Sequence, residues 1–107
     1  MALDLIALER ALIGFDTTSR NSNLAMVDFL SERLKGLGLA VEVDADEAGQ
    51  KANVFATLGA PDAGGLMLAG HMDTVPVEGQ AWSTDPFTLT EREGRFYGRG
   101  TADMKSF

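Results

Sequence analysis

The chain's one histidine, His71, and two aspartates, Asp73 and Asp103, are the residues whose types and spacing could do chemistry. His71 and Asp73 form a His-x-Asp triplet at the end of the apolar run Leu66-Met-Leu-Ala-Gly70, just before Thr74-Val-Pro76. On an extended backbone, residues i and i+2 project to the same side, so the imidazole and the carboxylate can meet. One ring nitrogen is then available to a metal ion while the other donates its N–H to Asp73. That contact fixes the tautomer and makes the ligand more basic. Asp103 sits in a second loop, Gly98-Arg-Gly-Thr-Ala-Asp-Met-Lys105, and offers a further carboxylate. A histidine and a carboxylate could together form the first half of a metal-hydrolase site.

Each feature also has a plainer reading. A His-x-Asp triplet is more often a surface turn or a hydrogen-bonded pair than a metal site. An aspartate in a Gly-rich loop more often makes a turn or caps a helix. Lys105 reads as a solvated charge, and Arg95 and Arg99 as structural or surface charges, with binding of a substrate carboxylate the minority reading. Trp82 and Phe87 read as aromatics packing a long loop against a sheet edge, with lining of a substrate entrance the minority reading, and Tyr97 reads as core.

The elements that would position these residues follow from periodicity. Leu5, Leu8, Leu12 and Phe15, with Ile6 and Ile13, repeat at helical spacing over residues 3–15, and Asp4 complements the helix dipole. The polar run Asp16-Thr-Thr-Ser-Arg-Asn-Ser-Asn23 predicts a loop. Ser22 or Asn23 caps a second helix over 24–36, with Val27, Leu30, Leu34 and Leu37 on its buried face and Gly36 and Gly38 as stop signals. The period then changes to two. Leu39, Val41 and Val43 alternate with Ala40, Glu42 and Asp44 as a half-buried strand, and a second strand is expected at 53–58. Residues 66–70 are apolar without alternation, which predicts a central strand covered on both faces. A hairpin is expected from Phe87–Glu91, a turn at 92–94, and Arg95–Tyr97.

Composition bounds the rest. The chain has 107 residues, enough for one small domain. Its net charge of −7 argues against nucleic acid or an anionic membrane as partner. With no cysteine there is neither a disulfide framework nor a thiolate zinc site. No apolar run approaches the ~20 residues of a membrane span. The start, Met1-Ala-Leu-Asp-Leu-Ile6, lacks the basic region of a signal peptide, so a cytoplasmic location is expected.

Taken together, Gly70-His-Met-Asp-Thr-Val-Pro76, Gly79-Gln-Ala-Trp82, Asp85-Pro-Phe87 and Gly94-Arg-Phe-Tyr-Gly-Arg-Gly-Thr-Ala-Asp-Met-Lys105 resemble the di-zinc aminoacylase and carboxypeptidase superfamily. The Gly-Gln-x-Trp and Asp-Pro-Phe details resemble its acetylornithine deacetylase branch. The likeness runs from Phe15-Asp-Thr-Thr-Ser-Arg-Asn-Ser22 to the end of the chain. It implies an α/β fold with two N-terminal helices and a mixed β-sheet, a partial zinc-peptidase-like catalytic domain. Residues 1–107 would be the N-terminal part of that domain, without the lid domain and the other catalytic half. The resemblance further implies that His71 ligates one zinc ion and Asp103 bridges two, with cobalt as an alternative metal. It gives Asp73 a catalytic role, orienting the His71 ring, and makes the Asp103–Met104 peptide cis. Ser106 stands where the family commonly has glycine.

The implied parent reaction is removal of acetate from N-acetyl-ornithine, serving arginine synthesis, on a small-molecule N-acyl amino acid substrate and in a homodimer. Hydrolysis of a related N-acyl amino acid or a dipeptide is the nearest alternative, and a non-catalytic truncated protein the third. In the family the general base comes from a downstream Glu-Glu pair, and a distant histidine completes the metal shell. This sequence has no Glu-Glu pair and no second histidine. Two anchors cannot build two four-ligand sites, so the isolated chain is expected to be inactive.

Overall fold

The computed structural model describes residues 3–107. Helix α1 spans Leu5–Gly14 and α2 spans Leu24–Gly36. Strands β1 (Ala40–Ala45) and β2 (Ala52–Thr57) form one hairpin, and β3 (Thr90–Arg92) with β4 (Arg95–Tyr97) forms another. The chain divides into two compact units: residues up to Asn21 with Gly70–Phe107, and Ser22–Ala69.

In the second of these units, α2 packs on both β1 and β2. Its N-terminus is closed by Ser22, whose Oγ accepts from the Leu24 N–H at 3.2 Å. Asn23 occupies the N-cap position without capping. Its side chain instead donates from Nδ2 to the Ala52 carbonyl at 3.0 Å and accepts from the Ala52 N–H at 2.9 Å, as a neighbouring strand would. At the other end Gly38 adopts φ +87°; its N–H donates to the Lys35 carbonyl and the Leu39 N–H to that of Leu34. This paired closure needs a left-handed residue, which glycine supplies without steric cost. The buried side of α2 is Met26, Val27 and Ser31, so the expected face is rotated, with Leu37 half exposed.

In the first unit, Asp4 caps α1 through a 2.9 Å bond from the Ala7 N–H. Only Leu12 and Ile13 of its apolar stripe are buried; Leu5 and Ile6 face solvent. The β3–β4 hairpin is tighter than expected. Arg92 pairs with Arg95, leaving Glu93-Gly94 as a two-residue turn with φ of 53° and 72°, the type I′ geometry that matches strand twist. Leu89, just before β3, is buried and its carbonyl accepts from Arg10 at 3.0 Å.

The α/β class with two N-terminal helices holds. Two expectations about the strands are corrected. The strands form two separate antiparallel pairs instead of one mixed sheet, and the parallel element among the described residues is a single bridge between Thr18 and Thr74. Residues 66–70 are not a strand and are not covered; Leu66, at 87% exposure, and Leu68, at 74%, lie open. An apolar run becomes a central strand only where neighbouring backbone pairs with it, and here no ladder reaches this segment. No helix among the described residues is long and apolar enough to cross a membrane.

Candidate functional site

Two backbone segments build the site. The first, Met72–Thr74, is held by the loop Asp16–Ser19 running parallel to it. The Thr74 N–H donates to the Thr17 carbonyl and the Ser19 N–H to the Thr74 carbonyl, each at 3.0 Å. The buried Thr17 hydroxyl donates to the Met72 carbonyl at 2.6 Å. These bonds fix the backbone on which His71 and Asp73 are mounted.

The second segment is Gly98–Lys105. Gly98 is forced by close approach, because a Cβ there would lie 2.8 Å from Cγ2 of the fully buried Ile13. Gly100 has φ +99°, and its carbonyl accepts from the Lys105 N–H at 2.8 Å, folding the loop back on itself. Lys105 is not the solvated charge its position in a loop suggests. It is 6% exposed, and its Nζ donates to the carbonyls of Leu12 at 3.0 Å and Phe15 at 2.6 Å. Ser106 bonds the Thr101 carbonyl at 2.7 Å and contacts Glu9. The Asp103–Met104 peptide is cis, as the resemblance implied. Met104 then lies against Gly70, and its sulfur accepts from the His71 N–H at 3.4 Å.

The loops therefore bring the expected residues together. Nε2 of His71 lies 2.8 Å from Oδ1 of Asp103. Nδ1 lies 3.0 Å from the Asp73 carbonyl and 3.1 Å from Oδ1 of Asp73. The other Asp73 oxygen accepts from the Ser19 hydroxyl. The row Ser19–Asp73–His71–Asp103 is continuous and half open to solvent at the ring.

Electrostatics follow from this row. Hydrogen bonding to the Asp73 carbonyl, then to the Asp103 carboxylate, raises the His71 pKa above the ordinary imidazole value. The Ser19 hydroxyl, aided by the charge of His71, holds the Asp73 carboxyl below the usual carboxylate range. Burial pushes the Lys105 pKa down to about 8, with the charges of Asp16 and Glu9 opposing it.

The donor set can be tested against a zinc ion. A neutral imidazole nitrogen and a carboxylate oxygen are both zinc donors, and two donors on one tetrahedral ion stand on the order of 3.3 Å apart. The 2.8 Å contact needs to open only slightly to accept one. Among the described residues no group of three or more His, Cys, Asp or Glu side chains converges on a single point. The pair fits a zinc ion as part of its shell.

Around this centre, Arg99 fastens the loop that precedes β3. Its guanidinium lies 5.1 Å from the Trp82 ring and contacts the side-chain oxygen of Gln80, which also accepts from the Trp82 indole at 3.1 Å. Tyr97 is half-buried under Arg92 at 5.0 Å. Arg95 is exposed, and Trp82 and Phe87 are half-buried, in keeping with packing roles. Sequence reasoning missed Ser19, Lys105 and Met104 as members of the site's framework. The polar run containing Ser19 carried no signal beyond its place in the resemblance, and a loop lysine carried none.

Residues 67–107 match the model for peptidase family M20/M25/M40. Over that segment the chain is similar to this peptidase family, in the stretch that holds its ordered motifs. Its particular likeness is to acetylornithine deacetylase. It is 48% identical over 93 residues to the enzyme of Proteus mirabilis (strain HI4320), covering 86% of this chain and 24% of the relative. It is 45% identical over 109 residues to that of Shigella sonnei (strain Ss046), covering 95% and 28%. Its fold matches the crystal structure of human carnosine dipeptidase 1 with a TM-score of 0.80 at 25% identity, over 95% of this chain and 25% of the other. The chain thus spans about a quarter of the length of the proteins it matches.

Proposed function

We propose that residues 1–107 are the N-terminal part of a metallohydrolase catalytic domain that removes acetate from N-acetyl-ornithine, releasing ornithine for arginine synthesis. The observation that carries this reading is the 2.8 Å approach of His71 Nε2 to Asp103, with Asp73 behind the ring. The likeness to two acetylornithine deacetylases at 45–48% identity supports the substrate. In this reading His71 and Asp103 would hold zinc, and Asp73 would keep the Nδ1 proton so that Nε2 could present its lone pair. Zinc held there would supply a Lewis acid for the scissile amide carbonyl and would lower the pKa of a bound water. The remaining donors and the general base lie outside this sequence, so the chain alone does not turn over substrate. The working enzyme is a cytoplasmic homodimer.

A chimera tests the proposal. The segment of the Proteus mirabilis deacetylase matched by this chain is replaced with the corresponding residues of this chain, and release of ornithine is measured. Retained hydrolysis, lost by more than ~10²-fold on His71→Ala or Asp103→Ala, supports it, since even residues behind a metal ligand cost 10–100-fold when removed. A folded chimera whose activity is indifferent to both substitutions overturns it.

The fold match to a dipeptidase favours a second reading, hydrolysis of a dipeptide on the same site. Assaying the chimera with carnosine and N-acetyl-ornithine side by side separates the two.

A further inference from the structure

We infer that Ser19 is a positioning residue for the His71 ring, acting through Asp73. Asp73 meets Nδ1 of His71 with its main-chain carbonyl at 3.0 Å and with Oδ1 at 3.1 Å, while Oδ2 accepts from the Ser19 hydroxyl. A carboxylate on a short side chain can swing about its χ2 torsion, which is broad. A second bond on the far oxygen removes that freedom and keeps Oδ1 turned toward the ring. Ser19 is suited to this because it is itself fixed. Its N–H donates to the Thr74 carbonyl at 3.0 Å, and the neighbouring Thr17 holds Thr74 and Met72 from the same side. The Ser19 hydroxyl carries one proton, and the Thr74 carbonyl, another acceptor within reach, lies farther away at 3.3 Å. The loop Asp16–Ser19 is thereby a template for the triplet. Its near end is tied to the other ligand's loop, because Lys105, two residues after Asp103, donates to the Phe15 carbonyl.

This inference deepens the metal-site reading and rests on it for the use made of the ring, while its test reads the ring directly. His71 is the only histidine, so a long-range 1H–15N spectrum of the metal-free chain contains one imidazole. At alkaline pH, in the neutral ring, Nδ1 competes for the proton through Asp73 and Nε2 through Asp103, so the wild type has a defined ratio of the Nδ1–H to the Nε2–H tautomer. Ser19→Ala lowers the ratio of Nδ1–H to Nε2–H by roughly three- to tenfold, the worth of one hydrogen bond. Ser19→Thr, which keeps the hydroxyl, restores it. In an Asp73→Asn background, Ser19→Ala has no further effect.

An unchanged ratio in Ser19→Ala overturns the inference. So does an equal shift in the Asp73→Asn background, or loss of dispersed amide signals in Ser19→Ala but not in Asp73→Asn, which would make the serine a general structural residue. Zinc binding separates the two claims. A ring that responds to Ser19, in a chimera with the Proteus mirabilis deacetylase whose zinc content is unchanged by His71→Ala, leaves the positioning intact and removes the metal reading. Zinc bound through His71 with a tautomer indifferent to Ser19 does the reverse.

Discussion

Lys105 shows how a single side chain can tie a site to the helix behind it. The last carbonyls of a helix have no partner within it and sit at the negative end of its dipole. The buried ammonium of Lys105 supplies both a donor and a positive charge there, bonding the carbonyls of Leu12 and Phe15. Lys105→Met keeps most of the volume but withdraws the donor, and is expected to cost about 1–3 kcal/mol in urea unfolding. Lys35→Met, at an exposed position with only a surface ion pair to Glu32, is expected to cost less than about 0.5 kcal/mol. Asp16 contributes at the same end of α1. The Thr18 hydroxyl, at 2.6 Å, and then the Thr18 N–H, at 3.1 Å, hold its carboxyl below the ordinary 3.8. With the folded value depressed, the unfolded chain binds more protons just below pH 4, so this contribution falls as pH falls through that range. The unfolding midpoint of the wild type should exceed that of Asp16→Asn at pH 5–7, and the gap should close on acidification below about pH 4.

Among the elements, α2 and the hairpin β1–β2 depend on one asparagine. Asn23 bonds both the N–H and the carbonyl of Ala52, at the first position of β2, and both residues are buried. Asn23→Ala strands two buried backbone groups, each worth about 1–3 kcal/mol, so thermal unfolding should report a loss of roughly 2–4 kcal/mol. Asn23→Asp keeps the acceptor and loses the donor, and should fall between Asn23→Ala and the wild type. That role was not legible in the sequence, where Asn23 before an apolar-periodic run reads as a helix cap. The bounds of α2 were legible, because Gly38 and the 3.6-residue period are local signals. So was β1, whose period of two is also local. Residues 66–70 were misread for the opposite reason: an apolar run states a wish for burial but not which backbone will pair with it. The site shows the same division. The His71–Asp73 contact follows from i, i+2 geometry, but the meeting with Asp103 depends on how Gly98 and Gly100 allow the second loop to fold. The anchor at Lys105 depends on the position of α1.

At the scale of the whole molecule, the chain is strongly acidic yet leaves much apolar surface open. Leu58, Leu66, Met67 and Leu68 are each more than 70% exposed, and Val43 and Phe55 on the hairpin are half exposed. Most of these side chains line one open groove beside β2, together with Leu39 and Val54. A contiguous apolar surface of this kind is unusual for a monomer and drives association. Residues 64–69, which no strand pairs, also present backbone of the sort that templates edge-to-edge contacts. The net charge of −7 opposes association at low ionic strength, and salt screens that repulsion over about 10 Å at 0.1 M while leaving the apolar attraction intact. Sedimentation of the chain should therefore show a weight-average mass that rises with concentration, and rises more steeply at 0.5 M salt than at 0.02 M. The double substitution Leu66→Asp and Leu68→Asp places charge in the groove without touching the His71–Asp103 row. It should hold the chain monomeric over the same range while leaving the His71 ring signals in place. Monomeric behaviour of the wild type at high salt would refute the argument, because it would mean that this groove is too hydrated, or too poorly shaped, to bind another copy.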